Sequence, residues 1–356
     1  MNPYQQNDSG EMYDVLVSFL EQIKTAWNNN FQVERSNYKN IKNIVLTGLG
    51  GSAISGDVAQ TFLYKTLQLP LQVNRNYDLP NFANESTLVI ACSYSGNTEE
   101  TISAYKGALE RKCKIVSIGS GGEIEKLANA NGNLHIKVPS GFQPRCALGL
   151  MFFNLLKFLN DAGFISFNDS MIESIYKMLK AKSEIYSKEH SQPYDDAVKL
   201  IGHFPVIHSS DLLQSVNVRF RCQLAENSKV LSYSGIIPEL NHNEIIGWEK
   251  FDLPAELGLK RQAGSNKFNA MLIQIIDEDD HPRNKLRFKI TEKILKETGI
   301  EILKIKSSEK SFEERIIDLI YYTDWVSFYL AVLRKVDPTP IKNINTLKNS
   351  LAAIQS

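Results

Sequence analysis

Ile44-Val45-Leu46-Thr47-Gly48-Leu49-Gly50-Gly51-Ser52-Ala53 runs from a short apolar segment into a cluster of small residues and then into a helical pattern. Forty residues on, 88–92 is again apolar and leads into Ser93-Tyr94-Ser95-Gly96-Asn97-Thr98, followed by a second helical pattern. Two strand-to-helix turns rich in glycine and hydroxyl side chains leave backbone N–H groups open at a helix start. That is the local chemistry that holds a phosphate without a metal or a lysine clamp.

Outward from these turns, strand-like and helix-like patterns alternate. Strands are expected over 44–47, 71–74, 88–92, 115–118 and 134–138, with helices over about 54–66 and 99–112. Such alternation predicts an α/β fold with a mainly parallel, doubly wound, flavodoxin-like sheet flanked by helices. Upstream, Val15, Leu16, Phe19, Leu20, Ile23 and Trp27 follow the spacing of one amphipathic helix over 12–27. Downstream, 147–159 reads as a buried helix and 170–188 as a more polar one. The pattern then resumes: strand 204–208, helix 212–226, strand 270–276, strand-turn-helix over 281–298, strand 300–305, and a helix over 312–335 that is apolar nearly all round. The chain therefore reads as an N-terminal helical segment (1–27), a first domain (28–165), a similar second domain (185–335) and a tail with a short helix (336–356). The second domain has His208-Ser209-Ser210-Asp211 where the first has its glycine loop, so only the first is built to cradle phosphate.

Composition narrows the function. With 356 residues and a 43% hydrophobic share, two packed domains are expected. Forty Lys plus Arg balance forty Asp plus Glu, which removes the broad positive field of a nucleic-acid or anionic-membrane binder. Cys92, Cys113, Cys146 and Cys222 show no CxxC pairing, as in a reduced cytoplasmic protein. The polar N-terminus has no signal pattern, and no apolar run is read as reaching the roughly 20 residues of a membrane helix.

Gly48-x-Gly50-x-x-Ala53 also satisfies a dinucleotide-binding pattern, but the acidic residue such a fold needs about 20 positions on is missing from Val73-Asn74-Arg75-Asn76, and Asp78 is late. Ser93, Ser95 and Thr98 instead offer three hydroxyl donors beside open N–H groups, and Gly51 and Ser52 add to them. The competing structural reading is a serine-rich helix cap with an acidic first turn. Glu99 and Glu100 would repel a phosphate unless their side chains point away.

These paired loops resemble the sugar-isomerase (SIS) domain, and the chain as a whole resembles the bifunctional phosphoglucose/phosphomannose isomerase family. Four further stretches carry the resemblance: Pro144-Arg145-Cys146-Ala147-Leu148-Gly149, Ala225-Glu226-Asn227, Pro238-Glu239-Leu240-Asn241-His242-Asn243-Glu244, and Leu347-Lys348. It implies tandem SIS domains, a cofactor-free and metal-free reaction, and a homodimer acting on a hexose 6-phosphate. It also implies roles: Glu226 as the base that moves a proton between C2 and C1, His242, reaching from the neighbouring subunit, for ring opening, Arg145 for the enediolate charge, and Lys348 near the ring oxygen. These types suit the chemistry, since a carboxylate can take a carbon-bound proton and histidine titrates near neutrality. The resemblance ties epimer tolerance to a threonine near the C-terminus, and Thr339 and Thr346 are the candidates. The six histidines form no metal-ligand spacing. The expected activity is isomerisation of glucose 6-phosphate, and mannose 6-phosphate, to fructose 6-phosphate. The alternatives are a non-catalytic sugar-phosphate-binding SIS protein and an isomerase for another phosphosugar.

Overall fold

Ser18 interrupts the first apolar-periodic stretch, so the single helix expected over 12–27 forms as two, α1 (Met12–Val17) and α2 (Phe19–Trp27), in the computed structural model, which describes residues 3–249 and 269–354. The chain then continues as β1 (Asn43–Thr47), α3 (Gly50–Phe62), β2 (Leu71–Asn74), β3 (Thr87–Cys92), α4 (Glu99–Glu110), β4 (Lys114–Gly119), α5 (Gly122–Ala130), β5 (Leu134–Lys137), α6 (Leu148–Asp161) and α7 (Asp169–Tyr186). After α7 come α8 (Gln192–Leu200), β6 (Phe204–Ser210), α9 (Gln214–Glu226), β7 (Tyr233–Ile237), β8 (Ala270–Ile275), α10 (Pro282–Glu297), β9 (Glu301–Ile305), α11 (Phe312–Leu333) and α12 (Lys342–Ile354).

Two sheets organise these elements. The first has the order β2-β1-β3-β4-β5 and the second β7-β6-β8-β9, with every pairing parallel. Central strands are apolar throughout because helices cover both faces of a parallel sheet. Ile44, Val45 and Leu46 are at most 1% exposed, and all six residues of β3 are buried. The second sheet repeats the order of the first four strands, so the expected α/β architecture of two similar SIS-like sheets is what forms.

The chain separates into two compact units. An N-proximal unit comprises Ser18–Lys182 and Glu309–Ile317; a C-proximal unit comprises Met1–Val17, Ser183–Ser308 and Asp318–Ser356. The segment read as 1–27 is thus divided at Ser18; two further boundaries fall inside α7 and α11, and one between β9 and α11. In the N-proximal unit, Val89, Ala91, Ala104, Tyr105 and Ile115 form a core on one face of the sheet, and Phe62 meets Phe152 edge-on at 5.2 Å. In the C-proximal unit, Val206, Leu272 and Leu295 form the corresponding core. There α11 carries an aromatic cluster in which Trp325 packs edge-on against Tyr13 at 5.5 Å and stacks on Tyr329 at 5.3 Å.

Several expectations change. The helix after the first loop begins at Gly50 rather than near Ile54, because Gly50 and Gly51 form its first turn instead of a loop. The segment 281–298 forms one helix, Pro282–Glu297, with His281 and Thr298 as its caps and without the strand expected at its start. α5, α8 and β7 were not read from the sequence; β7 is a short edge strand with an alternately exposed pattern, recognisable by its pairing with β6. The reading that no run reaches membrane length is also corrected: α11 has 22 residues and passes by length and hydropathy. Its apolar window is 94% buried within the chain, which marks a core helix.

Candidate functional site

The order β2-β1-β3 makes the gap beyond β1 and β3 a topological switch point, where doubly wound sheets open a crevice at the carboxyl ends of their strands. Both glycine-serine loops emerge there. Their close approach depends on absent side chains. A Cβ on Gly48 would sit 2.7 Å from the Cys92 carbonyl oxygen, and one on Gly51 would sit 2.6 Å from that of Pro144 and 2.8 Å from the Arg145 nitrogen. Gly96, at φ +72°, faces the Gly121 carbonyl, where a Cβ would lie at 1.7 Å; Gly119 faces the Ser93 carbonyl, at 2.3 Å. Four loops, following β1, β3, β4 and β5, therefore meet backbone to backbone.

The hydroxyl groups are then placed by this contact. Ser52, 5% exposed, accepts the Tyr94 N–H through Oγ at 2.9 Å, which leaves its own proton available to a ligand. Ser93 Oγ and Thr98 Oγ1 lie 3.0 Å apart and share one hydrogen bond, so the pair retains one proton to donate. Ser95 is exposed, and its Oγ accepts the Asn97 N–H at 3.4 Å. No side chain caps either α3 or α4, although Thr98 stands at the N-cap of α4. The serine-rich cap considered from sequence is therefore not what these hydroxyls form. Two helix starts, each with open N–H groups and a partial positive charge, face the crevice. Glu99 in the first turn of α4 is engaged by the Tyr77 hydroxyl, which pushes the Tyr77 pKa up to about 12.

Arg145 is 2% exposed and lies in a single 3-10 turn, Pro144–Cys146, against the start of α3. Gln22 of α2 fastens that turn: Nε2 donates to the Cys146 carbonyl at 2.8 Å, and Oε1 accepts the Leu150 N–H at 3.3 Å. Gln22 was not singled out in the sequence. Neither was Tyr94, whose hydroxyl donates to the Pro139 carbonyl at 2.9 Å and accepts the Phe142 N–H at 3.0 Å. Nor was Ser120, which donates twice to the Tyr94 carbonyl. Ser120-Gly121-Gly122 is a third small-residue turn between strand and helix, and that signal was legible.

The structure brings Gly51, Ser52, Ser93, Ser95, Thr98 and Arg145 into one unit; Glu226, His242 and Lys348 belong to the other. Glu226 is the last residue of α9 and is half-buried. α9 is held to α11 by a polar ladder: Arg219 and Gln223 both donate to the Asp324 carboxylate, at 2.6–3.1 Å, and Asn227 donates to Ser327 Oγ at 3.0 Å. Burial pushes the Asp324 carboxyl up against the downward pull of Arg219. His242 is exposed and ends a 3-10 turn, Glu239–His242, whose Leu240 packs with Ile237 and Phe288 and whose Asn241 donates to Thr291 at 3.0 Å. Lys348 lies exposed on α12; on the same helix Thr346 bonds its own Lys342 carbonyl, and Thr339 precedes it.

The second sheet has the same switch point with different contents. After β6, Ser210 Oγ donates to the Asp280 carboxylate, whose other oxygen accepts the Asp277 N–H at 3.0 Å. Asp280 is 2% exposed, and burial pushes its pKa up. An internal carboxylate therefore sits at the loops where the first sheet presents glycines and hydroxyls. His208, 1% exposed in β6, is pushed by burial from 6.5 down to about 4.

Residues 37–147 match the SIS domain family, and residues 189–351 match the bacterial phospho-glucose isomerase C-terminal SIS domain. A bifunctional phosphoglucose/phosphomannose isomerase from Caldicellulosiruptor bescii is 38% identical over 352 residues, covering 97% of this chain and 100% of that protein. The chain belongs to the bifunctional phosphoglucose/phosphomannose isomerase family. Another bifunctional phosphoglucose/phosphomannose isomerase, from Aquifex aeolicus, is 35% identical over 96% of this chain and 98% of its own length. Among solved structures, a hypothetical protein from Thermus thermophilus superposes with a TM-score of 0.72 at 16% identity, over 98% of this chain and 91% of that one. That likeness concerns the fold. For this isomerase-family chain, the two family matches fall on the two sheets, 37–147 on β1 to β5 and 189–351 on β6 to β9.

Proposed function

We propose that this chain interconverts glucose 6-phosphate and mannose 6-phosphate with fructose 6-phosphate. The observation that carries the proposal is the meeting of four glycine-permitted loops at the first switch point, with two uncapped helix starts, the protons of Ser52 and Ser95, and the one that Ser93 and Thr98 keep between them. A phosphate dianion there would receive backbone N–H and hydroxyl donors, which shorten and strengthen toward an anion.

The reaction then needs three operations on the sugar. Ring opening moves a proton from O1 to the ring oxygen, the role proposed for His242 with Lys348 beside the ring oxygen. Glu226 takes the proton from C2 and returns it to C1, and the same carboxylate serves either C2 epimer. The enediolate formed between these steps is anionic at O1 and O2, and the guanidinium of Arg145 supplies fixed positive charge for it. Tolerance of mannose 6-phosphate is assigned to Thr339 or Thr346. The assembly is a homodimer in which His242 serves the neighbouring subunit's site, and the four free cysteines fit a cytoplasmic setting.

Incubating the protein with fructose 6-phosphate and resolving the products separates catalysis from mere binding: both aldose phosphates should form. Glu226→Gln should slow the conversion by about 10²–10⁴-fold. Wild-type turnover in that variant would remove Glu226 from the base role. Mixing inactive Glu226→Gln and His242→Ala subunits should restore activity; no recovery after subunit exchange would refute a shared site.

A further inference from the structure

Immediately after α9 the chain carries two buried polar residues and then an exposed lysine that the reaction as proposed does not use. Asn227 is 2% exposed and Ser228 fully buried. Ser228 Oγ donates to the Ser327 carbonyl at 2.6 Å, and Arg334 Nη1 donates to the Ser228 carbonyl at 2.5 Å. The two contacts tie the segment to the C-terminal half of α11 and to the residue that follows it. Lys229 follows with φ +55°, a left-handed conformation that favours glycine. Lys229 shares that conformation with Glu11, Lys112, His190 and Lys335, and what its side chain does there is specific.

That side chain turns back on the helix it has just left. Lys229 Nζ donates to the carbonyl of Glu226 at 2.5 Å and to the carbonyl of Pro338 at 3.1 Å. The first acceptor belongs to the last residue of α9, where the backbone carbonyls have no intrahelical partner. The second belongs to Pro338, the buried residue of the break Asp337-Pro338-Thr339-Pro340, in which Thr339 N–H is held by the Asp337 carboxylate at 2.9 Å. That break leads directly into α12, which carries Lys348. One ammonium group thus joins the terminus that presents Glu226 to the segment that delivers α12. A lysine at the C-terminal end of a helix also complements the negative end of the helix dipole.

We propose that Lys229 is a positioning residue: it staples the end of α9 to residues 337–340 and thereby fixes the Glu226 carboxylate and the start of the α12 segment together. This rests on the assignment of Glu226 as the base. The left-handed backbone supplies an unusually clean test. Lys229→Gly suits φ +55° better than lysine does, so the variant should fold at least as well as the parent while losing the staple. We expect its kcat to fall about tenfold or more, in line with the sensitivity of catalysis to ångström-scale misplacement. KM should change little, because the phosphate loops lie in the other unit. Lys229→Arg, which keeps a long cationic donor, should restore most of the loss. In the Glu226→Gln background the glycine substitution should cost nothing further, since residues that act through one group are non-additive.

Wild-type kcat in Lys229→Gly, or a full additional loss in the Glu226→Gln background, would overturn the positioning role. Wild-type turnover in Glu226→Gln alone would overturn the base assignment, and the positioning role with it. An inactive Glu226→Gln beside a fully active Lys229→Gly would remove only the positioning role.

Discussion

Replacing Gly51 by alanine should damage the reaction more than the fold. The added Cβ would lie 2.6 Å from the Pro144 carbonyl oxygen, 2.7 Å from its carbon and 2.8 Å from the Arg145 nitrogen, all backbone atoms that no side-chain rotation can move aside. Ordinary contact begins near 3.4 Å, so the turn Pro144–Cys146 must retreat from α3 by about 0.8 Å. Overpacking of this kind costs about 1–3 kcal/mol of stability. The same retreat carries the Arg145 backbone with it, and a misplacement of about 1 Å can cost about 10²-fold in rate. We expect kcat/KM for fructose 6-phosphate to drop by about 10–100-fold, or about 1.4–2.7 kcal/mol in transition-state stabilisation. A coupled assay of glucose 6-phosphate formation measures this, alongside a thermal melt. Gly107→Ala is the matched control: it lies mid-helix in α4 with no atom within 4 Å of the new Cβ. It should gain about 0.5–1 kcal/mol of stability and keep full activity. Undiminished kcat/KM in Gly51→Ala would refute the claim that this contact sets the Arg145 turn.

Asp324→Ala should destabilise the protein by about 3–5 kcal/mol, since it breaks a buried ion pair with Arg219, whose side chain is 3% exposed, and removes the carboxylate that Gln223 donates to; a urea melt showing under about 1 kcal/mol would contradict the ladder's role. Acidification should destabilise through His208. Its folded pKa, about 4, lies below the ordinary 6.5, so its neutral form stabilises the fold above pH 6.5 and that contribution, about 3 kcal/mol, is lost as pH falls toward 4. Asp280 and Asp324, whose pKa values are raised, act in the opposite sense, losing stability as pH rises through their folded pKa. Comparing urea melts of the parent and His208→Gln from pH 7 to pH 4 isolates the histidine; parallel curves would remove it from the account.

The readable parts of the site were those whose chemistry is local. Glycine beside serine at a strand–helix junction is needed wherever backbone N–H groups must face an anion, so 48–53 and 93–98 announced the switch point, and Ser120-Gly121-Gly122 could have joined them. Glycine signals a loop by propensity, so the sequence places the start of α3 too late; the helix starts at Gly50, and residue 51 has to be glycine because the Pro144–Cys146 turn leaves no room for a Cβ there. β7 was missed because a five-residue edge strand containing serine and glycine is decided by its partner β6, not by its own composition.

Alternating strand and helix periods, a neutral charge balance and two small-residue turns are properties of neighbouring residues, and they determined the α/β class, the tandem plan and the loops at the first switch point. Partnership across the chain was not written there. Gln22 shows as a polar residue in an apolar helix, yet its acceptor at Cys146 is 124 positions away. Arg219 meets Asp324 across 105 positions, and Lys229 meets Pro338 across 109. A buried donor must find an acceptor, but the sequence states only the need. Which acceptor meets it depends on how helices and loops pack, and that was decided by the tertiary structure alone.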